Sequence, residues 1–138
     1  MRPALKTELV NYMIEHPFGL INDGSSDLGV KKMNAMCLHI FDMNRSKRVE
    51  CKLYDMCLTT GEDCSKAYSL FDAINKAFIS DDIDWDNAVS IGLDNTNSNM
   101  GNNNSLKSRI LKKNPNCFVA GFNCQLSHLA ASKGGKAF

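Results

Sequence analysis

The chain has 138 residues, 43% of them hydrophobic, with 16 Lys and Arg against 15 Asp and Glu and a formal charge of +1. That length suits one domain around one core. The apolar content argues against a disordered chain, and the near-neutral balance lacks the basic excess of a dedicated nucleic-acid binder. Clusters at Lys31-Lys32, Arg45 to Arg48, Lys107 to Lys113 and Lys133 to Lys136 read as solvated basic faces. Met1 to Val10 is charged and has no apolar signal region, and no stretch is apolar enough to span a bilayer. Six cysteines stand singly, at 37, 51, 57, 64, 117 and 124, with no Cys-x-x-Cys pair. Buried, reduced thiols in a soluble intracellular domain are expected, with no membrane partner.

Leu5 to Glu15 is expected as a helix with Leu9 and Met13 on one side, stopped by Pro17. Phe18 to Asn22 is a short apolar strand, and Gly24-Ser25-Ser26 has turn chemistry. Met33 to Met43 is apolar on both faces, as in a strand well inside a sheet. A hairpin at Met43-Asn44-Arg45-Ser46 leads to a half-exposed strand, Val49 to Leu58, whose Val49, Cys51 and Leu53 alternate with Glu50, Lys52 and Tyr54. From near Cys64 a helix sets Ala67, Leu70, Phe71, Ile74, Ala77 and Phe78 on one face. An acidic connector with Trp85 leads to a buried-type strand, Ala88 to Leu93, and then to an Asn-rich loop. Ser105 to Lys113 is a helix capped by Ser105 or Asn104, Cys117 to Ala120 a last strand, and Cys124 to Lys133 a last helix ended by Gly134-Gly135.

Two segments carry the chemistry. Ile21-Asn22-Asp23-Gly24-Ser25-Ser26-Asp27 and Ile91-Gly92-Leu93-Asp94-Asn95-Thr96 are both apolar runs that end on an aspartate before a small-residue loop. A hairpin of three strands followed by alternating helix and strand describes an α/β mixed sheet covered by helices. A right-handed crossover would bring the fourth strand beside the first and set Asp23 next to Asp94. Paired carboxylates hold Mg²⁺ or Mn²⁺ for phosphoryl chemistry. No Asp or Glu follows Asp94.

That order, with aspartates on strands one and four, resembles the ribonuclease H-like fold of transposases, here with about five strands of which the first three are antiparallel. Pro17 to Asp27 resembles the first catalytic-aspartate segment of hAT-family transposases and of host proteins derived from them. Gly92-Leu93-Asp94-Asn95-Thr96-Asn97-Ser98-Asn99-Met100-Gly101, continued by Asn104-Ser105 and Arg109, resembles the second, and Gly121 to Ala131 the Cys- and His-containing segment that follows. The resemblance implies a nuclear, DNA-cutting and strand-transfer enzyme with two divalent cations. Asp23 and Asp94 would be its first two acids, and Asp27 a neighbour of the site. It divides the chain into a lead-in at 1–16, a partial core at 17–133 and a truncated tail at 134–138. The family's third acid, a glutamate beyond a large helical insertion, has no counterpart, and neither do its zinc-finger and dimerisation regions. Phe122 and Gln125 stand where the family has its first Cys and first His, which leaves Cys124 and His128.

Simpler readings stand beside these. The two aspartates serve equally as turn formers. Asp23-Gly24-Ser25-Ser26-Asp27 approaches the Asp-x-Ser-x-Ser signature of metal-dependent adhesion domains, with Asp27 in place of the last Ser. Asp82-Ile83-Asp84-Trp85-Asp86 has the odd-position acids of an EF-hand loop but Asn87 at its sixth place and Leu93 at its twelfth, so it reads as a solvated connector. Cys124 and His128 would supply only half of a zinc site, and a lone His on a helix with Leu126 and Leu129 reads as structural. The expectation is a transposase-derived domain inactive alone for lack of a third acid. The alternatives are a domesticated nucleic-acid- or protein-binding module and a remnant without selected function. DNA, a protein partner or self-association fit this expectation. Away from the resemblance the location would be cytoplasmic, and the short tail predicts exposed apolar surface.

Overall fold

The computed structural model describes residues 3–27, 31–41 and 47–122. Its centre is a five-stranded mixed sheet made of β1 (Phe18–Asp27), β2 (Lys31–Phe41), β3 (Val49–Thr60), β4 (Ala88–Leu93) and β5 (Phe118–Gly121). The order across the sheet is β3-β2-β1-β4-β5. β1, β2 and β3 pair antiparallel, whereas β4 runs parallel to β1 and β5 parallel to β4. Among the described residues it is accompanied by the α-helices α1 (Pro3–Glu15), α2 (Ala67–Ser80), α3 (Asn97–Met100) and α4 (Leu106–Lys113) and by a short 3-10 turn at Trp85–Asn87.

Alternation decides which side of the sheet the helices cover. Phe18 and Leu20 of β1, Met36 and Leu38 of β2, Tyr54 of β3, Ala88, Ile91 and Leu93 of β4 and Val119 of β5 are buried on one face. They form a single core with Leu9 and Met13 of α1, Leu70, Ile74 and Phe78 of α2 and Leu106 and Ile110 of α4. Phe78 sits among aromatic rings, edge-on to Phe18 at 5.9 Å and 4.7 Å from Trp85. The Trp85 indole N–H donates to Asn75 at 2.9 Å, which satisfies its one polar atom. At the rim, the Tyr54 hydroxyl donates to Asp81 at 2.6 Å, and Lys6 reaches Asp55 and Asp81 at 3.1 and 3.5 Å. One polar cluster thus ties α1, β3 and the end of α2.

The other face is not covered by any helix among the described residues. Ile21, Ala35, Cys37 and Gly92 there are half-buried. Met33, Phe41, Val49, Leu53, Met56 and Leu58 are exposed, between 41% and 66%. β2 is interior to the sheet, as its two apolar faces suggest, yet only its Asn34, Met36 and Leu38 face is buried. The apolar half of the β3 alternation is the half left in solvent. None of the five cysteines among the described residues is in a disulfide, and Cys51 is exposed rather than buried.

Three local expectations need correction. Gly24-Ser25-Ser26 is not a turn, because β1 runs on to Asp27 and pairs with β2 out to Asp27↔Lys31. Gly24 allows this, since a Cβ there would meet the side chains of Lys32 and Asn34. The stretch after Asp94 is not all loop, for Asn97–Met100 closes one helical turn. The second helix begins at Ala67, three residues after Cys64. The Ala88–Leu93 strand and the Ser105 cap, whose hydroxyl accepts from the Ser108 N–H at 3.1 Å, follow the sequence. The expected 43–46 hairpin and 124–133 helix lie outside the described residues.

Candidate metal centre at the sheet edge

The parallel register of β1 and β4 runs from Gly19↔Ser90 to Asn22↔Leu93. One residue further on both chains stand Asp23 and Asp94. Parallel neighbours lie about 4.8 Å apart across the ladder, so the topology sets these two backbone positions next to each other at the ends of two interior strands. Alternation puts Asp23 on the face of Ile21, opposite buried Asn22, while Asp94 directly follows Leu93, the last residue of β4. The Cys37 thiol reports Asp23 on the same face. Its pKa is raised first by burial, then by Cys51, and further by the Asp23 charge.

Asp23 is exposed and Asp94 half-buried. One carboxylate oxygen of Asp94, Oδ1, is wholly buried and has no hydrogen-bond partner. Burying an acceptor without a partner costs about 1–3 kcal/mol, and more when it is charged. Such an oxygen beside a second carboxylate suits a hard divalent cation, since Mg²⁺ takes one or two protein carboxylates and fills its other positions with water or phosphate oxygens. Among the described residues no group of three or more His, Cys, Asp or Glu side chains could hold a metal. Among the described residues, Asp23 and Asp94 are therefore two candidate carboxylates with no third acidic ligand grouped with them.

The backbone after Asp94 is pinned. The Phe122 N–H donates to the Leu93 carbonyl at 3.0 Å, and the Asn95 amide donates to the Phe122 carbonyl at 2.8 Å. Gly121 is required here, because a Cβ would occupy the place of the Asn95 side-chain oxygen. Phe122 lies over Gly92 and closes the β5 side of the site. Cys124 and His128, the remaining Cys/His positions, lie outside the described residues, as does the side chain of Asp27. The Asp23 to Asp27 stretch forms a paired strand, which removes the loop that an adhesion-type metal motif needs. In the acidic connector, Asp84 accepts from the Asp86 N–H at 3.0 Å and Trp85 is buried, so these residues build a turn.

No match to a known family emerges. No family model matches the chain, and no curated protein or solved structure matches it either.

The structure adds polar groups that the motif analysis did not single out as site residues. Asn22, Asn34 and Asn99 are buried, each with its side-chain oxygen unpartnered, and the buried Arg109 Nε is unpartnered too. Asn22 and Asn34 occupy buried positions of the neighbouring strands β1 and β2. The available signal was an amide at an inward position of an otherwise apolar strand. On the helix side an open groove of about 580 Å³ runs between the start of α2 and α4, lined by Lys66, Tyr68, Ser98, Asn104, Arg109 and Glu62.

Proposed function

We propose that this is a ribonuclease H-like domain derived from a hAT-type transposase, whose retained chemistry is binding one divalent cation between Asp23 and Asp94 beside a nucleic-acid phosphate. The buried, unpartnered Asp94 Oδ1, one residue past the β1–β4 register that also leads to Asp23, is the observation that carries this reading. The strand order β3-β2-β1-β4-β5, with three antiparallel strands and the two aspartates on its adjacent parallel strands, supports it. Mg²⁺ or Mn²⁺ held there would polarise a phosphoryl oxygen. Asp23 and Asp94 supply the anionic ligands, while Asn95 and Phe122 hold the strand ends that carry them. In-line phosphoryl transfer with two metals needs more negative charge than two carboxylates give, and no acid follows Asp94 in this sequence. With two carboxylates this reading is one of cation binding, and cleavage would require a further carboxylate.

Calorimetric titration with Mn²⁺ tests this reading. A single saturable site is expected in the wild type, weakened about tenfold or more in both Asp23→Asn and Asp94→Asn, since each removes one of two charged ligands. Absence of binding by a folded wild-type chain would leave the two aspartates without a metal-binding role and overturn the reading. A second reading, a protein-binding module, is favoured by one observation, the exposed apolar face of β2 and β3.

A further inference from the structure

β3 is an edge strand among the described residues, and its two halves differ. In the second half a bulge falls where the β2 register shifts between Met36↔Asp55 and Cys37↔Leu53. There the Asp55 carboxylate accepts from the adjacent Met56 N–H at 2.8 Å. Bulges and locally satisfied N–H groups are the devices by which edges avoid pairing. The first half, Val49 to Leu53, has neither and exposes Val49, Cys51 and Leu53 on the uncovered face.

We propose that this half-edge pairs with the same segment of a second copy, antiparallel and centred on Cys51, to join two sheets into one. A two-fold contact is isologous, and antiparallel partners put paired side chains on the same face of the sheet, so only registers centred on a residue are allowed. Centring on Glu50 would set Glu50 against itself and Arg48 against Lys52. Centring on Lys52 would set Lys52 against itself. Centring on Leu53 would oppose Cys51 to Asp55. Centring on Cys51 sets Glu50 against Lys52 of the second copy in both directions and Val49 against Leu53 of the second copy on the apolar face. That register alone matches charge with charge and apolar with apolar across the whole segment. Glu50 and Lys52 already bridge within one chain at 2.9 Å, so the dimer turns two local pairs into a four-charge network on one side of the sheet. The exposed apolar surface of β2 and β3 becomes continuous across the junction.

The register predicts its own chemical readout. Directly opposed residues in an antiparallel pair have Cα atoms about 4.5 or 5.5 Å apart, and both values fall within disulfide range. Diamide oxidises two thiols to one disulfide and takes up the two electrons and two protons. It should therefore cross-link the chain through Cys51 to Cys51. Cys37 lies near Cys51 in the same chain and competes for it, so the test uses Cys37→Ser. The expected result is a covalent dimer that is lost on adding Cys51→Ser. In sedimentation velocity on the full chain, a dimer is expected at high micromolar concentration. Glu50→Lys should weaken it about tenfold or more, and Glu50→Lys with Lys52→Glu should restore it. Far-UV circular dichroism of each variant establishes that it is folded. A folded wild type that stays monomeric, a dimer indifferent to Glu50→Lys, or a cross-link formed without Cys51 would each overturn the proposal.

Discussion

Tyr54 shows how one side chain joins core and rim. Its ring is buried against Phe78, while its hydroxyl donates to Asp81. Burial, followed by the hydrogen bond to the Asp81 carboxylate, pushes its pKa well above the ordinary 10. The folded state thus keeps its phenolic proton to higher pH than the unfolded chain, and the associated stability is fully present below pH 10 and lost as pH rises beyond it. Tyr54→Phe is expected to cost about 1 kcal/mol at pH 7 through the lost hydrogen bond. Above pH 10 the variant should lose stability less steeply than the wild type, as urea midpoints across the alkaline range will show. Asp23 and Asp94 were legible as residues because an acid closing an apolar run is conspicuous. The buried amides of Asn22 and Asn34, whose side-chain oxygens are unpartnered, were not, because an asparagine inside a strand looks like a turn residue until burial shows otherwise.

At the scale of elements, legibility followed the strength of local pattern. The α2 face from Ala67 to Phe78 and the β4 run from Ala88 to Leu93 declare themselves by periodicity alone. The extension of β1 through Gly24 to Asp27 does not, since pairing with β2 overrides a turn-forming composition. Helix α4 is held to β4 by a contact that no local pattern announces. The Asn114 amide donates to the Trp85 and Ala88 carbonyls at 3.0 and 3.2 Å, and its oxygen accepts from the Asn116 N–H. Asn114→Ala would strand two buried carbonyls and is expected to cost about 2–3 kcal/mol in chemical denaturation. The loss should appear without change in the denaturant slope, because the surface exposed on unfolding is nearly the same.

For the whole molecule, the decisive property is a sheet clothed on one side among the described residues. The sequence foretold helices and a mixed sheet but not which face of β3 they would cover. The alternation of Val49, Cys51 and Leu53 pointed to an apolar face, whereas the anchoring of Tyr54 by α1 and α2 chose the opposite one. The strand order has a kinetic consequence as well. β1, β2 and β3 are joined in sequence, so their meander forms from short-range contacts. β4 meets β1 only after the intervening β2, β3 and α2 have been traversed, at a higher loop-closure cost. Asp23 therefore acquires its neighbour after the meander has formed. Pulse-labelled hydrogen exchange during refolding should protect amides of β2 and β3 before those of β4, and simultaneous protection would refute that order. If the two proposals hold, a chain caught between the two stages would display its β3 edge before it could hold a cation, so self-recognition would become available to the folding protein before metal recognition.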